Sequence, residues 1–251
     1  ARPERRPRLI AAYGDLCAGL LGEPYAMVDQ RLVLAQPGPD QQRGLVVREL
    51  RNRLAQYDQA MRSALEAMVC AEDDSLQQSN ALSVMGIAHM RLGNYSEGLE
   101  CLLRSLKIAE TLDDPFLIGH ARNGIGGIYY NMGEYEKALD QFEQIIQLTN
   151  ETRPGDTTLA MLISNIATCH IKLGNYDRAL HYENQSLALS REWKLIRAEA
   201  FVLHRIGEIH TLTGEYDLAA ENLTKALVMA DSVGARDVMV NIQINYGNLY
   251  E

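Results

Sequence analysis

Histidine and cysteine are the side chains best able to hold a metal or relay a proton, and their spacing here argues against both. The chain has six histidines and four cysteines in 251 residues. His89, His170 and His210 stand 81 and 40 residues apart, whereas two ligands on one helix should be four apart to share a face. His204 and His210 are six apart and so point to different faces. Cys17, Cys70, Cys101 and Cys169 show no CxxC spacing and read as reduced core thiols. Gly124-Ile125-Gly126-Gly127 has the composition of a phosphate loop, but it lies inside a helical pattern, where small residues serve close helix packing. There is no P-loop lysine, no HExxH and no GxSxG. Glu134, Glu136, Asp140 and Glu143 fall on outward helical positions and read as a solvated face. The sequence predicts no catalytic centre, no metal site and no cofactor.

The elements that carry these residues are helices in a repeat. From His120 to Leu148 the pattern gives two amphipathic helices joined by a tight turn at Met132-Gly133-Glu134. Gly-x-Tyr occurs at Gly93-Asn94-Tyr95, Gly133-Glu134-Tyr135, Gly174-Asn175-Tyr176 and Gly214-Glu215-Tyr216, and the tyrosines are 40, 41 and 40 residues apart. A small residue recurs in each first helix at Gly86, Gly126, Ala167, Gly207 and Gly247. Another follows each tyrosine by three, at Gly98, Ala138, Ala179 and Ala219. His89, His170 and His210 share one register with Tyr129 and Tyr250, which asks for a flat ring packed between helices. A fixed period of this size marks a solenoid array.

The repeat resembles the tetratricopeptide repeat (TPR) family, whose units are helix-turn-helix pairs of usually about 34 residues. The longer period is similar to that of the Leu-Gly-Asn repeat adaptors of cell polarity and of bacterial TPR regulators. The resemblance implies an all-α fold: a right-handed α-solenoid of about six and a half helix-turn-helix repeats.

Taken in order, residues 1–8 read as a flexible basic tail, with four arginines and two prolines. Residues 9–251 read as one superhelical domain. Within it, 9–36 and 44–70 are degenerate repeats; the second has Ala55-Gln56-Tyr57 as its turn, without the glycine, and Arg48 at the small position. Four regular repeats fill 79–237. Residues 238–251 read as the first helix of a seventh repeat, so that a second helix, more repeats or an output domain is expected to follow Glu251 in the parent protein. On that helix Val238, Ile242, Tyr246 and Leu249 should pack on the sixth repeat. Its other apolar residues, left uncovered, predict either a homo-oligomer formed through the C-terminal helix or fraying of that helix.

The net charge of −9 and pI of about 5.2 speak against nucleic acid as the main ligand. No apolar run reaches the ~18 residues of a membrane span. With no signal peptide in the sequence, a cytoplasmic, non-enzymatic protein is predicted. In TPR folds the first helix of each pair lines the concave surface, and the register then places Asn123, Tyr130, Asn165, Thr168, Lys172, His204, Arg205 and Glu208 on it. Asparagine both donates and accepts, so Asn123 and Asn165 suit the backbone of an extended peptide, a use the resemblance to the Leu-Gly-Asn adaptors also implies. The family's carboxylate clamp is not reproduced, since Asn123 and Phe201 replace its lysines and Gly127 one of its asparagines. The expected function is a scaffold or sensor that binds a protein or extended peptide. The alternative is a ligand-sensing region that controls an attached nucleotide cyclase or DNA-binding module.

Overall fold

The computed structural model describes residues 40–71, 74–152 and 157–250. The basic tail and the first degenerate repeat lie outside the described residues. Ten helices occur among those described: α1 (Asp40–Ala71), α2 (Ser75–Arg91), α3 (Tyr95–Thr111), α4 (Pro115–Asn131), α5 (Tyr135–Thr152), α6 (Thr158–Lys172), α7 (Tyr176–Glu192), α8 (Ile196–Thr213), α9 (Tyr216–Ser232) and α10 (Arg236–Tyr250). The fold is all-α. It groups into two compact units, one ending at Met132 and the other beginning at Gly133. In the first, α1 packs on α2, α2 on α3 and α3 on α4, and α2 also meets α4. In the second, each helix from α5 to α10 packs on the next, and α6 also meets α8, as α8 meets α10. Contact between neighbours and between alternate first helices is the packing of a stacked solenoid.

Each second helix from α3 onward in the regular repeats begins at the tyrosine of Gly-x-Tyr. The turn before it is closed by two backbone hydrogen bonds. In the first, Asn94 N–H donates to the His89 carbonyl at 2.9 Å and Gly93 N–H to the Met90 carbonyl at 3.1 Å. Asn175 N–H to the His170 carbonyl and Glu215 N–H to the His210 carbonyl repeat the first of these bonds at 2.9 and 2.8 Å. This is the Schellman arrangement, which needs a left-handed residue just past the helix. Gly93, Gly133, Gly174 and Gly214 supply it, with φ between 73° and 83°. A Cβ there would meet nothing within 4 Å, so backbone conformation, not space, calls for glycine. α2 starts earlier than residue 79, from which the regular repeats are read, and α4 starts at Pro115. Asp74 caps α2 through Gln77 N–H at 3.1 Å, and Asp114 caps α4 through Phe116 and Leu117 N–H at 2.9 and 3.1 Å, with Pro115 in its first turn.

Space is the reason for the helix glycines Gly86 and Gly207. A Cβ on Gly86 would lie 2.5 Å from Leu102 Cγ and 2.9 Å from the Gly98 carbonyl oxygen. On Gly207 it would lie 2.8 Å from Leu223 Cγ and 3.3 Å from the Ala219 carbonyl oxygen. Leu102 and Leu223 are completely buried. In these two repeats, then, the bare backbone of the first helix receives a branched side chain of the second, one turn beyond the small residue that follows the tyrosine.

One expectation fails. Ala55-Gln56-Tyr57 was to be the turn of a helix pair, but it lies within α1, a continuous helix of 32 residues. That segment lacks a glycine able to take positive φ, so nothing in the local sequence breaks the helix. The last helix behaves as its pattern predicts at Val238 and Ile242, which are buried against α8 and α9, with Tyr246 packed beside them; the side chain of Leu249 lies outside the described residues.

Two substitutions test the glycine–leucine approach. Gly86→Ala should lower stability by about 1–3 kcal/mol through overpacking. Leu102→Ala should cost about 2–5 kcal/mol through a cavity. The double variant should cost less than the sum, because truncating Leu102 makes room for the new methyl. Urea unfolding of the three variants measures this, and strict additivity would contradict the contact.

Candidate functional site

The predicted site residues fall into two groups. Asn123 and Tyr130 sit on α4 of the first unit, Asn123 half-buried and Tyr130 buried. In the second unit Asn165, Thr168 and Lys172 lie on α6, and His204, Arg205 and Glu208 on α8. Asn165, Thr168, Arg205 and Glu208 are half-buried and Lys172 is exposed.

α6 and α8 are first helices of adjacent repeats, and their side chains join. Arg205 Nη2 donates to Thr168 Oγ1 at 2.9 Å, and Arg205 Nη1 donates to Glu208 Oε2 at 2.5 Å. Thr168 Oγ1 in turn donates to the Ser164 carbonyl at 2.8 Å. The chemistry beneath was not foreseen. Glu183 on α7 is completely buried, and the Ser164 hydroxyl lies 3.0 Å from both its carboxyl oxygens. Arg205 Nε is 3.7 Å from Glu183 Oε1. Burial drives the Glu183 pKa up to about 8, against the opposing pull of Arg205 and of the Ser164 hydrogen bond. A sequence signal was there to find it. The residue seven places after each repeat tyrosine is Leu102, Phe142, Glu183 and Leu223. Three of the four are large apolar core residues, and the carboxyl occupies the fourth.

His204 does not face a groove. It is buried, and Asn245 Nδ2 on α10 donates to its Nε2 at 2.8 Å. Burial, helped by the Arg205 charge, lowers its pKa to about 4, so the ring is neutral and accepts that bond. The histidines of the repeated register are packed as rings. His170 lies parallel to Tyr182, with centroids 5.4 Å apart, and burial lowers its pKa. His210 Nδ1 meets Glu215 Oε2 at 2.6 Å, and this bond, with one from Thr213, holds the exposed Glu215 carboxyl below its usual range. Among the described residues no group of three potential ligands could hold a metal ion, and no helix is long and apolar enough to cross a membrane. An open cavity of about 500 Å³ lies among α5, α6 and α7, lined by Glu143, Ile146, Gln147, Asn150, Glu151, Ile166 and Tyr182. The buried Glu183 and His204 do not line it.

Stacked helix pairs, Schellman turns between the helices of a pair and a polar seam along adjacent first helices define an α-solenoid repeat protein. Residues 77–151 and 117–192 match the tetratricopeptide repeat family, and this part of the chain consists of tetratricopeptide repeats. The chain is 26% identical over 159 residues to outer dynein arm-docking complex subunit 4 of Homo sapiens, covering 61% of this chain and 22% of that protein. It is 29% identical over 106 residues to anaphase-promoting complex subunit cut9 of Schizosaccharomyces pombe, covering 42% and 15%. The chain thus spans less than a quarter of the length of these relatives. Its fold is shared with a Rap protein complexed with Competence and Sporulation Factor, at a TM-score of 0.68, 16% identity, and coverage of 80% of this chain and 55% of that one. The scaffold is of the kind that mediates protein–protein interaction.

The network has a pH signature. Folded Glu183 keeps its proton up to about pH 8, while the unfolded chain releases it near 4.5. The fold therefore holds the extra proton between those values, and this contribution, complete below 4.5, is lost as the pH rises through about 8. His204 works the other way, since its depressed pKa makes the fold lose stability as the pH falls from 6.5 towards 4. Comparing variants isolates the first term. The stability of Glu183→Gln relative to the parent should rise steadily from pH 5 to pH 8, as followed by thermal unfolding. A difference that does not change with pH would place Glu183 in an ordinary solvated state.

Proposed function

We propose that the chain binds an extended peptide segment of a protein partner along the first helices of its repeats, as a non-catalytic scaffold or sensor module in the cytoplasm. The observation that carries this reading is the joined surface of α6 and α8. Arg205 bridges to Thr168 at 2.9 Å, and Asn165, Thr168, Lys172, Arg205 and Glu208 all keep solvent access. Amide, hydroxyl and charged groups along adjacent helices offer both donors and acceptors to a peptide backbone. Asn123 on α4 has the same register and would serve the first unit in the same way. Two of the relatives are named as subunits of larger assemblies, which agrees with an adaptor role.

The perturbed groups support a binding role over an enzymatic one. Glu183 and His204 are enclosed between helices, with hydroxyl, guanidinium and amide partners, and neither lines the open cavity. A general acid or base has to reach a substrate atom.

The test replaces Asn165 and Lys172 with alanine and measures retention on an immobilised random-peptide array, with circular dichroism as the control for folding. The parent should select a defined set of peptides, and the variant should retain them at least about tenfold more weakly, with unchanged helicity. Equal retention by parent and variant would move binding away from this surface.

A further inference from the structure

Two carboxyl groups share one guanidinium in the second unit, and the charges do not balance unless one carboxyl keeps a proton. Glu183 on α7 has no exposure at all, whereas the Glu208 side chain on α8 is 22% exposed and that of Arg205 12%. Arg205 lies between them asymmetrically, at 2.5 Å from Glu208 Oε2 and 3.7 Å from Glu183 Oε1. That asymmetry matches a neutral Glu183 beside an ionised Glu208. An ionised, fully buried carboxylate would hold the guanidinium at hydrogen-bond distance, because the attraction strengthens where water is excluded.

The elements packed on α7 are α6 and α8. Ser164 of α6 and Arg205 and Glu208 of α8 act on Glu183 itself; Thr168 of α6 bonds the Arg205 guanidinium, whose charge is felt by Cys169 of α6, which Glu136 of α5 also reaches, and by His204 of α8. Burial pushes the Cys169 thiol up to about 12 and the His204 ring down to about 4. Both are neutral through the middle of the pH scale. Arg205 stays cationic throughout. Within this cluster Glu183 is left to answer a change in pH near neutrality.

We propose that Glu183, Arg205 and Glu208 form a proton-linked switch, in which Arg205 pairs with Glu208 while Glu183 holds its proton and turns inward to Glu183 when that proton passes to water. The Nη1–Glu208 hydrogen bond breaks, a bond from the guanidinium to Glu183 forms, and the cluster changes from neutral to a net charge of −1. The surface consequence falls on Glu208, which loses its counter-ion and faces solvent as an unpaired carboxylate beside Thr168. On the peptide-binding reading, on which this consequence rests, raising the pH favours a partner segment with a basic side chain at this point and disfavours an acidic one. The switch itself needs no partner. It also makes Arg205 a positioning residue that links the buried proton to the binding surface.

The test uses the full chain labelled with ¹³C and ¹⁵N, without any ligand. The Glu183 carboxyl carbon and the Arg205 Nε–H resonance are followed by NMR across the neutral range. Both should titrate together, with a midpoint near 8. In Glu208→Gln the guanidinium is released to Glu183, and the midpoint should fall by about one unit or more. In Glu183→Gln the Arg205 resonance should stop responding to pH. If that variant does not fold, Ser164→Ala replaces it: losing a hydroxyl that favours the ionised carboxyl should raise the midpoint. A Glu183 signal that titrates in the ordinary carboxylate range, or an Arg205 signal that ignores it, overturns the switch. The peptide reading stands or falls separately on the array, since a chain that retains no peptide can still show the coupled titration.

Discussion

The close approach of the two helices within a repeat is the contact on which the other features of this structure depend. At Gly86 and Gly207 the first helix offers bare backbone, and Leu102 and Leu223 of the second helix fill the space that a Cβ would take. A repeat array has no single large core, so each repeat is held by its own pair contact and by the faces it shares with its neighbours. Where the backbones come this close, a branched aliphatic side chain buries itself fully. The same register carries Ala167 in the repeat whose facing position is Glu183, a side chain not branched at Cγ. Methyl on one side and lack of branching on the other is a consistent exchange of volume.

Glycine serves this chain in two unrelated ways. The turn glycines have open space around them and are selected by a positive φ. The helix glycines have ordinary helical backbone and are selected by a neighbour less than 3 Å from an imagined Cβ. The backbone carbonyls of His89, His170 and His210 close the Schellman turns, a role independent of the side chain. The rings at these positions are free to find local partners, and they do so differently: His170 against Tyr182, His210 against Glu215.

Glu183 is where the repeat departs from its own rule. A core position that takes leucine or phenylalanine elsewhere takes a carboxyl, and the fold answers with a hydroxyl, a guanidinium and a retained proton. Burying a charge without partners is strongly unfavourable, whereas burying a methyl group stabilises the fold. Functional and strained sites are where a local rule is expected to break with compensation built around it. Its compensating arginine reaches the polar seam between α6 and α8, where it bonds Thr168 and Glu208.

The sequence by itself determined the repeat: its period, the tyrosine that starts each second helix, the glycine of each turn and the all-α class. These follow from spacing and from backbone conformation, which are local properties. It also assigned Thr168, Arg205 and Glu208 to one face, because a helical register is read directly from residue number. The tertiary structure decided which of these side chains touch, and that Arg205 is shared between a half-exposed and a buried carboxyl. It decided that His204 turns towards Asn245 on α10, and that α1 runs on through the expected turn. Register fixes the face of a helix that a residue occupies, but not the depth at which a neighbouring helix covers it. The ionisation of Glu183 depends on that depth, because the energy of a buried charge is set by everything packed around it.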